Sequence, residues 1–178
     1  LPLYHYYPGK QVLSVGSIGC NFHCLNCQTH AISQIDASSI STEMYTLYEI
    51  VSQVEQREQA IGVAYTYNEP VVNFEYVLDI AKMVKERGLH NMMVTNGFIN
   101  PGPLSELLQY MDAFSVDIKG FTEEQYKKLT SAELSPVKDT IRAIQRAGKH
   151  IEINYLLVPG FNDDVTVFAK MIHWLYDE

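Results

Sequence analysis

Five short apolar runs, at residues 11–17, 61–67, 92–95, 113–118 and 151–158, recur along the chain with amphipathic segments between them. Runs of this length, rich in β-branched or aromatic residues, read as strands buried on both faces. The segments between them carry helical periodicity. Met44, Leu47, Ile50, Val51 and Val54 share one face behind Thr42, a candidate N-cap, and Phe74, Val77, Leu78, Ala81 and Val84 share another that stops at Gly88. Pro103 opens a short helix, Thr122 and Gln125 form a capping-box pair, and Ser135-Pro136 starts a helix that ends at Gly148. Asn162 or Asp163 caps the last helix, which keeps Val167, Met171 and Trp174 on related turns. Repeated β–α units with right-handed crossovers predict an α/β fold with a parallel sheet covered by helices. A closed eight-fold barrel takes about 250 residues. The 178 residues here therefore predict a partial, open parallel β/α barrel of the TIM-barrel type. A doubly wound sheet is the alternative, because sequence order alone does not fix strand order.

No linker or low-complexity segment divides the chain, so residues 1–178 read as one domain. The chain opens at Leu1 and stops inside a helical pattern, and it is expected to be a piece of a longer protein. A hydrophobic share of 47% with 19% charged residues is a globular profile. The formal charge of −8 argues against a nucleic-acid backbone as the main partner. No apolar run approaches a membrane span and no signal peptide opens the sequence, so no membrane partner is expected.

The chemistry begins with the cysteines. All three fall in Cys20-Asn21-Phe22-His23-Cys24-Leu25-Asn26-Cys27, directly after the first apolar run. Their number is odd and their spacing too close for a disulfide framework. Thiolates are soft ligands, suited to zinc or to an iron–sulfur cluster. Free thiols in a metal loop suit a reducing compartment, so a cytoplasmic location is expected.

The other strand ends also carry polar residues that make little sense as core. Asn68-Glu69-Pro70 follows the second run and Thr95-Asn96-Gly97 the third; Asp117 and Lys119 close the fourth, and Asn154 lies in the fifth ahead of Val158-Pro159-Gly160. In parallel α/β folds the carboxyl ends of the strands build the site. One rim is therefore expected to gather all five.

The C-x3-C-x2-C loop after the first strand resembles the signature of the radical S-adenosylmethionine (SAM) superfamily. Residues 65–70, 95–97, 116–120 and 158–160 agree in order with the pyruvate formate-lyase activating enzyme branch. The lead-in at residues 3–9 is most similar to that of the AmmeMemoRadiSam-system radical enzymes. This resemblance implies a 4Fe-4S cluster held by Cys20, Cys24 and Cys27, with one iron left for SAM. It implies reductive cleavage of SAM to a 5′-deoxyadenosyl radical that abstracts hydrogen from a substrate, with reduced flavodoxin or a ferredoxin-type protein as electron donor. Asn68 and Glu69 stand where the superfamily receives SAM's amino group, Asn68 replacing a glycine. Lys119 and Asn154 match positions at the methionyl end. Thr95 and Asp117 match residues near a monovalent cation, while Val94 stands where the activase has an Asp. Asn26, Val158 and Pro159 match the surroundings of the adenine.

Two routes follow from that starting point: activation of a protein partner by making a glycyl radical, or radical modification of a small molecule, protein or RNA. A different class is a non-catalytic module stapled by zinc, with Cys20, Cys24, Cys27 and His30, or else His23 or His5, as a closed set. Blander readings also stand beside single residues. Glu69 fits a helix N-terminus, Asp117 and Lys119 fit a plain ion pair, Thr95-Asn96-Gly97 fits a turn, and Tyr4, Tyr6 and Tyr7 fit packing of the lead-in against the barrel. His90 and His150 each start a strand at the opposite rim and read as structural.

Overall fold

Strands β1 (Gln11–Val15), β2 (Ala60–Tyr65), β3 (His90–Thr95), β4 (Ala113–Asp117) and β5 (His150–Asn154) lie side by side in sequence order and pair in parallel throughout. They come from a computed structural model that describes residues 3–35, 37–39, 43 and 45–178. Unbroken order with right-handed crossovers sends every connecting helix to the same face. The result is an open β/α barrel segment; the doubly wound alternative would need a reversal of strand order.

The helices are α1 (His30–Ser33), α2 (Leu47–Glu55), α3 (Phe74–Glu86), α4 (Pro101–Tyr110), α5 (Glu123–Thr130), α6 (Ser135–Arg146) and α7 (Val165–Asp177). Helix α2 starts at Thr46, whose side chain and that of Glu49 form a reciprocal capping box. The expected cap Thr42 and the face residue Met44 lie outside the described residues. Helix α4 begins at Pro101, two residues before the expected Pro103. Helix α7 is capped by Asp164, which accepts from the Thr166 and Val167 amides, and not by Asn162 or Asp163. Thr122 caps α5 by accepting from the Gln125 amide, but the Gln125 side chain accepts from the Phe121 amide and not from that of Thr122, so only half of the expected capping box forms.

Strand alternation divides the side chains between two faces. On the convex face Val63, Tyr65, Met93, Phe114 and Val116 meet Ile80, Leu107, Met111 and Ile144 from the helices in one buried core. Each such side chain contributes about 1.5–3 kcal/mol by leaving water. On the concave face Ala64, Met92 and Ala113 form a smaller cluster with Leu3, flanked by Tyr6 and Val12. Gly62 lets β2 and β3 approach there, since a Cβ at that position would come within 1.8 Å of the His90 carbonyl oxygen.

The lead-in crosses this concave face. The Tyr4 and His5 amides donate to the Glu152 carboxylate at 2.7 and 2.8 Å, and the Tyr6 hydroxyl lies 2.8 Å from His90 Nδ1. Tyr6 thus packs the lead-in as read, and the pKa of its hydroxyl is pushed up to about 12 by burial and by the nearby Asp112. His90 and His150 begin β3 and β5 at the rim away from the cysteines.

Four strands end earlier than their apolar runs, β4 by the single residue Ile118. β1 and β2 stop at Val15 and Tyr65, because Gly16 passes under Tyr67: a Cβ there would sit 2.9 Å from Tyr67 Cδ2. β5 stops at Asn154 rather than running to 158. Asn162 is fully buried and draws the following loop into a turn, donating to the Lys119 and Leu156 carbonyls and accepting from the Val158 amide.

Candidate active site

The cysteine loop leaves β1 and is fixed by its neighbours before any ligand is considered. The Gly19 amide donates to the Ile32 carbonyl at 2.9 Å, and the His23 and Leu25 amides donate to Thr130 and Leu129 at the end of α5. Phe22, between the first two cysteines, is buried against Phe98 and Tyr126 with ring centroids 5.5 and 6.0 Å away. The sequence signal for this anchor is an apolar residue inside a polar loop, which a reading centred on the thiols does not use.

From the opposite side Asn68 grips the loop. Its Oδ1 accepts from the Ser17 amide at 2.8 Å, and its Nδ2 donates to Ser17 Oγ and to the Gly19 carbonyl, both at 2.9 Å. Tyr67, just before it, adopts φ +75°, a left-handed conformation that favours glycine.

Glu69 is buried and makes three hydrogen bonds, from Thr95 Oγ1 at 2.8 Å, the Asn96 amide at 2.8 Å and the Val71 amide at 3.2 Å. The last bond caps a short 3-10 turn at Pro70–Asn73, so the helix-terminus reading describes part of its role. Burial pushes the pKa of its carboxyl up to about 7, although all three bonds pull it down. Thr95 Oγ1 donates to Glu69 and accepts from the Gly97 amide at 3.0 Å, so it serves the turn as well as the rim. Asn96, which the sequence presents only as part of that turn, lies 3.8 Å from Cys20 Sγ through its Nδ2.

Asp117 and Asn154 are register partners on β4 and β5, and Asn154 Nδ2 donates to Ser115 Oγ at 2.6 Å and to Asp117 Oδ1 at 3.3 Å. Lys119 Nζ closes on Asp117 Oδ2 at 2.6 Å. The plain ion pair is therefore present, and it faces the cysteines. Burial lifts the Cys24 thiol to about 11, against a smaller downward pull from Lys119; burial also raises Cys20.

These groups surround one cavity of about 580 Å³, lined by Cys20, Cys24, Cys27, Asn26, Asn68, Glu69, Thr95, Asp117, Lys119 and Asn154. Val158 and Pro159 are not among its lining residues; after β5 the cavity wall is made by Tyr155 and Leu156. Tyr4, Tyr67, Val94 and Asn96 also contribute to it. His23 and His30 are exposed outside the cavity, and His5 lies beside Glu152 on the concave face. Among the described residues no three His, Cys, Asp or Glu side chains converge on a point that would hold a single ion. Three thiols on one loop, beside a space large enough for a small molecule, fit a cluster that keeps one coordination position for such a ligand.

Fold and site together define a β/α-barrel protein with a three-thiol centre at the carboxyl ends of its strands. Residues 15–172 match the family model described as the radical SAM superfamily. An uncharacterized protein of Methanocaldococcus jannaschii is 40% identical over 99% of this chain and 52% of its own length. The pyruvate formate-lyase-activating enzyme of Clostridium pasteurianum is 29% identical over 62% of this chain and 46% of its own. A domain of pyruvate-formate lyase-activating enzyme from Bacteroides vulgatus shares the fold with a TM-score of 0.58 at 19% identity, covering 64% of this chain and 70% of that one. The chain thus belongs to the radical SAM superfamily. It spans about half the length of these two curated relatives.

Proposed function

We propose that this chain is the catalytic core of an activating-enzyme-like radical SAM enzyme, which cleaves SAM reductively and takes a hydrogen atom from a polypeptide. The carrying observation is the cavity that sets three thiols from one loop against Asn68, Glu69, Asp117, Lys119 and Asn154. When bound, a 4Fe-4S cluster at Cys20, Cys24 and Cys27 supplies the one electron that breaks the sulfonium C–S bond of SAM. The protein's own task is to bind, orient and shield.

Lys119 provides the positive charge for SAM's carboxylate, and Asn154, whose two N–H groups go to Ser115 and Asp117, holds Asp117 in place beside it. Glu69 and the backbone around Asn68 receive the amino group. The carboxyl of Glu69 is already held by three donors, so it acts by shaping the rim and by its charge. Asn26, with Tyr155 and Leu156, offers a bed for the adenine. A reduced flavodoxin or ferredoxin-type protein is the expected electron source.

A polypeptide substrate is supported by the mouth of the cavity. Tyr4, Tyr67 and Leu156 line the cavity yet remain exposed, and Leu25, between the lining residues Cys24 and Asn26, and Leu157, next after Leu156, are exposed as well. Exposed apolar side chains grouped at a rim suit a protein surface. The likeness to AmmeMemoRadiSam-system enzymes within this family rests on residues 3–9.

The test is anaerobic reconstitution followed by iron and sulfide analysis and a chemical-reductant assay for SAM-dependent 5′-deoxyadenosine. Bound iron and sulfide with 5′-deoxyadenosine release, both lost on Cys24→Ala, is the expected result. A colourless protein that holds one zinc and yields no 5′-deoxyadenosine overturns the reading.

A further inference from the structure

Asn96 is buried at 7% exposure in the loop after β3, and each of its side-chain polar groups has a partner. Its backbone amide donates to Glu69 Oε2 at 2.8 Å, its Oδ1 accepts from the Phe98 amide at 2.9 Å, and its Nδ2 donates to Asn21 Oδ1 at 2.7 Å. The same Nδ2 lies 3.8 Å from Cys20 Sγ, and the Phe22 amide approaches that sulfur to 3.3 Å. Two N–H groups therefore converge on one cysteine sulfur, one from its own loop and one from a different strand end.

The orientation of the Asn96 side-chain amide is over-determined. A flipped side chain would set its oxygen against Asn21 Oδ1 and its NH2 against the Phe98 amide, so neither bond would survive. A dipole fixed in this way at a thiolate lowers the energy of the more negatively charged, reduced state of a cluster bound there. We infer that Asn96 is a positioning residue that raises the reduction potential of the cluster through an N–H···S contact to Cys20. This rests on the cluster-binding reading above.

The experiment is an EPR-monitored redox titration of the reconstituted protein, comparing wild type with Asn96→Asp and Asn96→Ala. Both variants keep the backbone amide that serves Glu69. Asn96→Asp also keeps the oxygen that serves Phe98, while it replaces the donor at Cys20 by a charged acceptor. Both midpoints are expected to fall. Asn96→Asp is expected to fall further, by about tenfold in the reduced-to-oxidised ratio at fixed ambient potential, which is about 59 mV for one electron. A loaded centre with the wild-type midpoint in both variants overturns the inference. So does a folded apo-chain, judged by circular dichroism, that fails to take up iron in both variants, since Asn96 would then only brace the loop. A wild type that takes up no cluster would instead overturn the proposed function.

Discussion

Asn68 and Ser17 are joined by two hydrogen bonds at once, the Ser17 amide donating to Asn68 Oδ1 and Asn68 Nδ2 donating to Ser17 Oγ. The pair ties the end of β2 to the start of the cysteine loop, and a third bond, from Nδ2 to the Gly19 carbonyl, carries the grip to the residue before Cys20. A side chain that only contacted SAM would leave cluster content alone when removed. Asn68→Ala is instead expected to lower bound iron after reconstitution and to destabilise the apo-chain by about 1–3 kcal/mol, the cost of leaving buried partners unsatisfied. Iron analysis and urea unfolding read the two effects. Full iron content with weakened SAM binding would show that Asn68 serves the ligand and not the loop.

Glu69 gives a pH dependence with a definite sign. The pKa of its carboxyl lies at about 7 in the folded chain against an ordinary value of 4.5, because burial outweighs its three hydrogen bonds. Folding therefore takes up a proton between those values. The stability contributed by the protonated form is fully present below about pH 4.5 and is lost as the pH rises through about 7. A tenfold change in proton affinity corresponds to about 1.4 kcal/mol, so a loss of a few kcal/mol is expected across this window in the apo-protein. Urea unfolding at pH 5 and pH 8 should show it, and Glu69→Gln should flatten the slope. Parallel slopes in variant and wild type would assign the dependence to other groups.

The fold is legible because its signals are local. Buried parallel strands show as short apolar runs, and Gly88 and Gly148, both at positive φ, stop α3 and α6 where the sequence places them. The run at 151–158 misleads because Tyr155, Leu156 and Leu157 are apolar for a different reason. Tyr155 and Leu156 line the cavity and Leu157 is exposed next to them, in a segment that Asn162 draws inward. Its bond to the Lys119 carbonyl, 43 residues away, is tertiary, and so the same Asn162 reads as a helix cap. The rim residues are legible as a set because a parallel sheet collects its carboxyl ends on one side. Which of them face the cavity and which brace it is not, since Thr95, Asn96 and Glu69 divide those tasks through bonds between separate loops.

Lys119 separates a ligand-binding role from a structural one. Its ammonium is paired with Asp117 at 2.6 Å and also pulls the Cys24 thiol down against the larger effect of burial. Lys119→Met is expected to weaken SAM binding to the cluster-loaded protein by about tenfold or more, since a hydrogen bond to a charged group is worth about 1.5–3 kcal/mol. It should also slow cluster assembly at neutral pH, with recovery at higher pH as the Cys24 thiol ionises. Equilibrium dialysis and the growth of cluster absorbance measure these effects. A pair that is merely structural would lower the unfolding temperature and move neither.

Glu152 anchors the lead-in, and its carboxylate gathers the Tyr4 and His5 amides together with His150 Nε2 at 2.9 Å. Burial pushes its carboxyl up, but these bonds outweigh burial and hold it below the usual range. The sign is opposite to that of Glu69: the stabilisation is present above the ordinary value of 4.5 and is lost as the pH falls through the lower folded value. Glu152→Ala removes the acceptor and leaves two backbone amides without a partner on the concave face. The lead-in is then expected to lift, freeing the already exposed peptide bond after Lys10, now held by the Lys10 amide on the Tyr7 carbonyl and the Gln11 amide on the Gln59 carbonyl, to enter a protease site. Trypsin cleavage there should accelerate by about tenfold, which corresponds to about 1.4 kcal/mol of lost local stability. The unfolding temperature should fall by only a few degrees, because the convex core on the other side of the sheet is untouched. Tyr4 lines the cavity, so its release should also alter the access of SAM, read as a faster dissociation rate in the cluster-loaded variant. Unchanged cleavage after Lys10 would mean that Leu3 and Tyr6, packed against Ala64 and Met92, hold the lead-in without the carboxylate.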